Sequence, residues 1–171
     1  MAASTTNSMQ EPIFAWPAGF APGTARSYLR NERTIDAPPE RVWATLVAAA
    51  RWHDWFPNAT RVRIEGDADA LTAGARFRWS QTGVPLVSEV REFVPLRRLG
   101  WSARSPLIRA YHAWDIQPLA DGGCHVITDE TQNGVMPTLG GRFMHARMLR
   151  VHDLWLERLA ATSEASRPFP R

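Results

Sequence analysis

Alternation of apolar and polar residues, broken at short intervals by turn residues, is the dominant pattern in the middle of the chain. It predicts six strands, at residues 60–65, 75–81, 86–94, 98–103, 109–118 and 124–132. The connections between them, such as Gly83 and Gly122-Gly123, are too short for the crossovers that parallel strands require. We therefore expect hairpins of one antiparallel sheet, with an earlier extended segment at residues 26–36 as a seventh strand.

Helical periodicity appears in three places. Pro39 stands at the start of the first helix, where a missing backbone N–H is not needed, and residues 51–56 predict a second short helix that ends before Pro57. After Gly134 the three- and four-residue spacing returns for about 25 residues, which predicts one long amphipathic helix. Its predicted apolar face consists of Met144, Met148, Val151, Trp155 and Leu159. The elements together indicate the α+β class.

Length and composition indicate a single globular domain. The chain has 171 residues, of which 44% are hydrophobic and 22% are charged. We expect a domain over residues 26–163. Residues 1–25 are expected to form an N-terminal tail that packs partly on the body through Phe14 and Trp16, over the cavity mouth or on the outer surface. Residues 164–171 are expected to form a C-terminal tail, and the first ten residues or so to be disordered.

Charge and cysteine content narrow the possible partners and compartments. All 20 basic residues are arginine, and they are interspersed with 17 acidic residues, so no basic run favours nucleic acid. The single cysteine, Cys124, excludes an intrachain disulfide and is typical of a reducing compartment. No stretch approaches the roughly 18 apolar residues of a membrane span. We therefore expect a cytoplasmic protein that neither binds nucleic acid nor inserts stably into a membrane.

The order of elements resembles the helix-grip fold of the START and birch-pollen-allergen superfamily, often called SRPBCC. Residues 35–43, IDAPPERVW, look like its opening motif, and residues 51–57, RWHDWFP, are similar to its second helix. Residues 95–101, PLRRLGW, and residues 114–118, WDIQP, are similar to its later hairpins. The resemblance covers about residues 26–162 and is closest to the bacterial polyketide cyclase/dehydrase-like and lipid-transport members. It implies a curved seven-stranded antiparallel sheet around the long C-terminal helix, with two short helices after the first strand.

The resemblance also implies that the space between sheet and helix holds a small hydrophobic ligand of aromatic, polyketide-like or lipid-like character. Side chains on one face of a strand alternate with those on the other, so strand parity indicates which residues face this space. The predicted lining from the strands is Phe77, Trp79, Ser88, Val90, Trp101, Trp114, Thr128 and Gln132. Met144 and Met148 would be added by the long helix, and Trp52, Trp55 and Phe56 by the second helix as a lid. For each aromatic residue, core packing is the alternative, and we assign Trp43 and Trp155 to the core.

Two residues with possible acid–base chemistry share the inward parity. His112 and Glu130 lie on strands that are expected to pair, so they could meet inside an apolar cavity where both pKa values would shift. A histidine poised by a carboxylate can act as a general acid or base on a hydroxyl or an enolisable ketone. The alternative is that His112 is a hydrogen-bonded core histidine and that Glu130 faces Arg33 or solvent.

Three functions remain open at this point. The first is a module that binds or carries a small hydrophobic molecule. The second is a cofactor-free aromatase/cyclase or dehydratase that uses His112 and Glu130. The third is a protein-interaction role like that of the chaperone-ATPase activators in the same superfamily. No cofactor or metal is expected, because His145 and His152 share one helix but have no acid or cysteine at ligand spacing.

Overall fold

The computed structural model describes residues 14–165. Expectations that concern residues 1–13 and 166–171, such as disorder near the N-terminus, lie outside the described residues. Seven strands form one antiparallel sheet, in the order β1-β7-β6-β5-β4-β3-β2. The strands are β1 Ser27–Ile35, β2 Ala59–Ile64, β3 Arg76–Gln81, β4 Val84–Val94, β5 Arg98–Arg104, β6 Arg109–Pro118 and β7 Cys124–Asn133. The predicted α+β class and the seven strands are confirmed.

Hairpins connect β2 through β7 in sequence, and β1 joins the sheet at its far edge beside β7. The pairing of β4 with β5 shifts between Val90 and Glu92, an irregularity of the kind that bends a strand and increases its twist. The register of β5 and β6 pairs Trp101 with His112, and that of β6 and β7 pairs His112 with Glu130. Residues with the predicted inward parity therefore form a continuous row across the central strands.

Three helices cover one face of the sheet. Helix α1 spans Pro39–Val47, a 3-10 turn spans Ala49–Arg51, and α2 spans Trp52–Trp55. Helix α3 spans Val135–Glu164 and packs against β1, β7 and α1. It is longer than predicted and is interrupted at Gly141, whose φ of 47° and ψ of −141° are not helical. Gly140-Gly141 therefore lies inside α3 rather than at its start, because glycine adopts a left-handed φ without steric cost.

The segment before β1 lies on the outer face of the sheet. Phe14 is buried in a small cluster with Tyr111, Ala113 and Ile127, and Trp16 packs against that cluster. The rings of Trp16 and Tyr111 make an edge contact at 5.7 Å between centroids. This is the side of the sheet opposite to α3, so Phe14 and Trp16 cover the outer surface and not the interior.

Candidate functional site

Most of the interior between sheet and helices is filled by aromatic side chains around Trp155. Trp155 stacks on Phe56 with ring centroids 4.4 Å apart and makes edge contact with Trp52 at 5.3 Å. Trp52 is fully buried, and its indole N–H donates to the Leu46 carbonyl. Trp52 and Phe56 therefore belong to the packed core and do not form a lid, because the short α2 is drawn under α3 by these ring contacts.

A small cavity remains at one end of this core, with a volume of about 90 Å³. That is less than the 150 Å³ of an engineered apolar cavity that holds benzene. Strands β3 to β7 and the N-terminal part of α3 form its wall, and the cavity reaches the surface near the exposed Arg147. The lining residues are Trp79, Gln81, Thr82, Val84, Leu86, Trp101, Ala103, Ile108, Ala110, His112, Glu130, Gln132, Met136, Met144, Arg147 and Met148.

Only part of the sequence-predicted lining reaches this cavity. The residues that do are His112, Glu130, Trp79, Trp101, Gln132, Met144 and Met148. Ser88 lies deeper, where its hydroxyl accepts a hydrogen bond from the Trp79 indole N–H at 2.9 Å. Phe77, Val90 and Trp114 are core residues, and Trp55 lies on the outside beside Arg158. These positions share the inward parity or helix face, but neighbouring rings occupy the space in front of them.

His112 and Glu130 meet at the inner end of the cavity, and a third ionisable residue joins them from α3. The His112 Nδ1 and Glu130 Oε2 atoms are 3.6 Å apart, and His152 Nε2 lies 2.7 Å from the same oxygen. All three residues are at most 3% exposed. The other oxygen, Glu130 Oε1, accepts a hydrogen bond of 2.7 Å from the Gln132 amide. Glu130 therefore faces neither Arg33 nor solvent.

The position of the His112 ring is fixed from several sides. Its Nε2 shares a 2.7 Å hydrogen bond with the Thr128 hydroxyl, so Thr128 orients the histidine and does not line the cavity. The ring also contacts both Trp101 and Trp114, with centroid distances of 4.8 and 5.1 Å. Burial lowers the pKa of His112 to about 3, and the neighbouring charge of Glu130 offsets this only in part. His112 is therefore neutral at physiological pH.

For the pKa of Glu130, hydrogen bonds and neighbouring charges outweigh the effect of burial. Burial alone would raise the pKa of the Glu130 carboxyl, but the hydrogen bond and charge of His152, with smaller contributions from His112 and Gln132, hold that pKa below its usual range. The carboxyl is therefore ionised and can only accept hydrogen bonds, so the proton of the short contact with His152 lies on Nε2. His152 Nδ1 is buried and has no hydrogen-bond partner within residues 14–165.

His152 is the functional candidate that sequence reasoning missed. The helical pattern placed His152 seven residues from His145 on α3, but the two differ in environment. His145 bonds the Ser27 hydroxyl in a partly buried position, whereas His152 is fully buried against Glu130. The available signal was the spacing of His152 from Met148 and Trp155, which puts it on the apolar face of α3, where a histidine requires a polar partner.

Among residues 14–165, the same three residues form the group that could offer donor atoms to a metal ion. One donor atom from each of His112, Glu130 and His152 lies within 4.8 Å of the others. The two imidazole rings, however, are stacked, with centroids 4.8 Å apart and planes within 10° of parallel. A shared ion would have to lie close to both ring planes, because the lone pairs lie in them. The present geometry therefore fits a hydrogen-bonded cluster better than a metal centre.

The chemical character of the cavity follows from these contacts. Its walls are mainly tryptophan, methionine and aliphatic side chains, with Gln81, Thr82 and Arg147 as polar exceptions. Its inner end presents an ionised carboxylate that can accept further hydrogen bonds. The indole N–H of Trp101, also in the lining, is buried and has no partner within residues 14–165. A hydroxyl group can both donate to a carboxylate and accept from an indole N–H. The cavity thus has the polarity to hold an apolar molecule with one hydroxylated end.

Comparisons with known proteins identify a family and several similar structures. The family described as polyketide cyclase / dehydrase and lipid transport matches residues 28–164. The hypothetical protein jhp0584 from Helicobacter pylori is 26% identical, with a TM-score of 0.80 over 95% of this chain and 100% of that chain. The aromatase/cyclase Zhui from Streptomyces sp. R1128 is 16% identical, with a TM-score of 0.64 over 81% of this chain and 93% of that one.

TTHA0849 from Thermus thermophilus is 19% identical, with a TM-score of 0.67 over 83% of this chain and 100% of that chain. Zhui and TTHA0849 thus share the fold with this chain. The sequence matches no curated protein. Within residues 14–165, no helix combines the length and apolar character of a membrane span.

Proposed function

Since the chain belongs to the polyketide cyclase/dehydrase and lipid transport family, we propose that it binds a small, largely apolar molecule with a hydroxyl group at one end. The hydroxyl would donate to Glu130 at the inner end of the cavity, and the apolar part would lie between Trp79, Trp101 and the methionines of α3. The observation that carries the proposal is the ionised, fully buried carboxylate in a mainly apolar wall. Such a group is costly to bury unless it is paired, and the hydrogen bonds from His152 and Gln132 still leave it able to accept another from a ligand.

A ligand larger than a few waters requires the cavity to expand, because its volume is only about 90 Å³. Met136, Met144 and Met148 form the helical wall, and unbranched methionine side chains rearrange with little strain. The interruption of α3 at Gly141 lies between Met136 and Met144, so the first turns of the helix are joined to the rest through a non-helical residue. Expansion on this side would leave the hydrogen-bonded cluster in place.

The test compares two ligands that differ by one hydroxyl group, 2-naphthol and naphthalene. Quenching of tryptophan fluorescence measures the affinity of each for the wild-type protein and for Glu130→Gln. A hydrogen bond to a charged group is worth about 1.5–3 kcal/mol, so 2-naphthol should bind the wild type roughly 10- to 100-fold more tightly than naphthalene. The variant should lose most of that difference. Equal affinities of the wild type for both ligands would refute the assigned role of Glu130.

A second pair of variants tests the cavity itself. Ala110 lines the cavity, and Ala110→Leu should fill it and lower the affinity for both ligands at least tenfold. The matched control is Ala146→Leu, at an exposed position of α3 outside the cavity, which should leave both affinities unchanged. Binding that survives Ala110→Leu would place the ligand elsewhere.

A second candidate function is catalysis of the cyclase or dehydratase type. The observation that favours it is the direct contact of three ionisable side chains beside an apolar cavity, a combination typical of acid–base sites. His112 and Glu130 would then move a proton on a bound hydroxyl or enolisable ketone, without a cofactor. Their low pKa values make both weak bases in the free protein, which is why we place binding first.

Exchange of the α-protons of 2-tetralone in D2O, followed by proton NMR, tests this candidate. The wild-type protein should accelerate the exchange over buffer, and His112→Ala and Glu130→Gln should return it to the buffer rate. No acceleration by the wild type, or an equal acceleration by both variants, would exclude the assigned proton transfer. Circular dichroism spectra of the variants establish that a loss of exchange is not a loss of fold.

A further inference from the structure

Large apolar side chains point into solvent in the two chain segments that carry Ile108, Met136 and Met144 of the cavity lining. Leu139 and Phe143 are 82% and 73% exposed, and Val135 and Leu107 are each 51% exposed. Isolated exposed apolar residues are ordinary, but a group of them in one place indicates an interaction site. We call these four residues the mouth patch.

The chain itself places the mouth patch at the cavity. Leu107 precedes Ile108, Val135 precedes Met136 and Phe143 precedes Met144, and the second residue of each pair lines the cavity. The two segments are also in direct contact, because the backbone N–H of Met136 donates to the Leu107 carbonyl at 3.1 Å. At three positions, therefore, one residue faces the cavity and its neighbour faces outward beside the opening.

The two chain segments that carry the mouth patch contain arginines and no acidic residue. The sequence has no aspartate or glutamate between Glu92 and Asp115 or between Glu130 and Asp153, and both stretches contain arginines. Of the four exposed arginines Arg104, Arg109, Arg142 and Arg147, the first two line a groove on the outer face of the sheet together with Glu65 and Glu89, and the last two lie on α3 near Leu139 and Phe143. Within residues 14–165 no acidic side chain lies within the 4.0 Å ion-pair limit of any of these four.

We propose that the mouth patch docks the protein on an anionic lipid surface with the cavity opening facing the membrane. Exposed leucine and phenylalanine side chains enter the boundary between headgroups and acyl chains, and arginines beside them pair with anionic headgroups. The protruding apolar residues, together with the exposed Arg142 and Arg147 of α3, are complementary to such a surface. A ligand would then pass between the bilayer and the cavity without crossing bulk water. This docking does not depend on what the cavity binds or whether it catalyses a reaction.

Co-sedimentation with vesicles tests the proposal. The wild-type protein should sediment with vesicles of phosphatidylcholine and phosphatidylglycerol, less with phosphatidylcholine alone, and less at high salt because the headgroup attraction is screened. The Leu139→Ser/Phe143→Ser double variant should lose binding at least tenfold. The matched control is Leu96→Ser, a residue 40% exposed in the turn between β4 and β5, which should bind like the wild type.

A second comparison tests the charges on one helix. Arg142→Glu should weaken binding to the anionic vesicles several-fold, whereas Arg158→Glu, exposed near the other end of α3, should have little effect. Failure of the wild type to bind anionic vesicles would overturn the proposal, and the patch would then fit a protein partner. Equal binding by the double variant, or an equal loss from Arg142→Glu and Arg158→Glu, would overturn it as well. Melting temperatures equal to that of the wild type exclude misfolding of the variants.

Discussion

As the pH is lowered, destabilisation of this protein should begin at a higher pH than titration of its carboxylates alone would predict, and His112 is the cause. In the folded chain burial lowers the pKa of His112 from 6.5 to about 3. Between these two values the unfolded state binds one more proton at this residue than the folded state. The free energy of unfolding therefore falls as the pH falls, and the slope approaches about 1.4 kcal/mol per pH unit below about pH 5. Above pH 6.5 the contribution is complete.

Urea unfolding at a series of pH values, followed by circular dichroism, measures this slope. Other groups titrate in the same range, so the informative quantity is the difference between wild type and His112→Gln, which keeps a polar group near Thr128 but does not titrate. The variant should lose about 1 kcal/mol of the wild-type change between pH 6 and pH 5. Ala146→Gln, at an exposed position of α3, changes no titratable group; it is the control and should keep the wild-type slope. Parallel curves for wild type and His112→Gln would refute the neutral, buried state of His112.

Three further predictions concern the cluster and the core. His152→Ala removes one of the two 2.7 Å donors to the buried Glu130 carboxylate and should cost about 3–5 kcal/mol in urea unfolding, against less than about 1 kcal/mol for His145→Ala; equal costs would contradict the buried pair. Trp155→Ala removes the ring that stacks on Phe56 and should cost about 3–5 kcal/mol, and a cost near zero would mean that the core is not packed around it. EDTA should leave the melting temperature unchanged, whereas a fall of several degrees would indicate a bound ion in the cluster.

The sequence was sufficient for the architecture because local periodicity and turn residues determine each element. The predicted strands and helices agree with the observed ones to within two residues at most ends. Alternation in β6 and β7 also indicated that His112 and Glu130 share a face, and the register then makes them direct cross-strand neighbours. The start of α3 was less predictable, because Pro137 and Gly140-Gly141 are poor helix formers. The helix nevertheless begins at Val135 and continues past the non-helical Gly141.

The sequence was a weaker guide to the cavity lining. Parity gives the direction of a side chain but not the space in front of it, so Ser88, Val90 and Trp114 had the same sequence pattern as Trp101 and His112. Trp52 and Phe56 were assigned to a lid because a short helix beside a proline has no pattern that distinguishes a lid from a core element. The contacts of α2 with Trp155 decide this, and they join residues about a hundred positions apart.

The sequence by itself determined the fold and the two strand residues of the polar cluster, His112 and Glu130. Both follow from interactions between residues that are close in the chain or on adjacent strands. Only the tertiary structure shows that His152 contacts Glu130, that the interior leaves a small cavity, and that Leu139 and Phe143 are exposed on α3. Each of these depends on how α3 lies on the sheet. That placement is set by the packing of many distant side chains, and no local pattern encodes it.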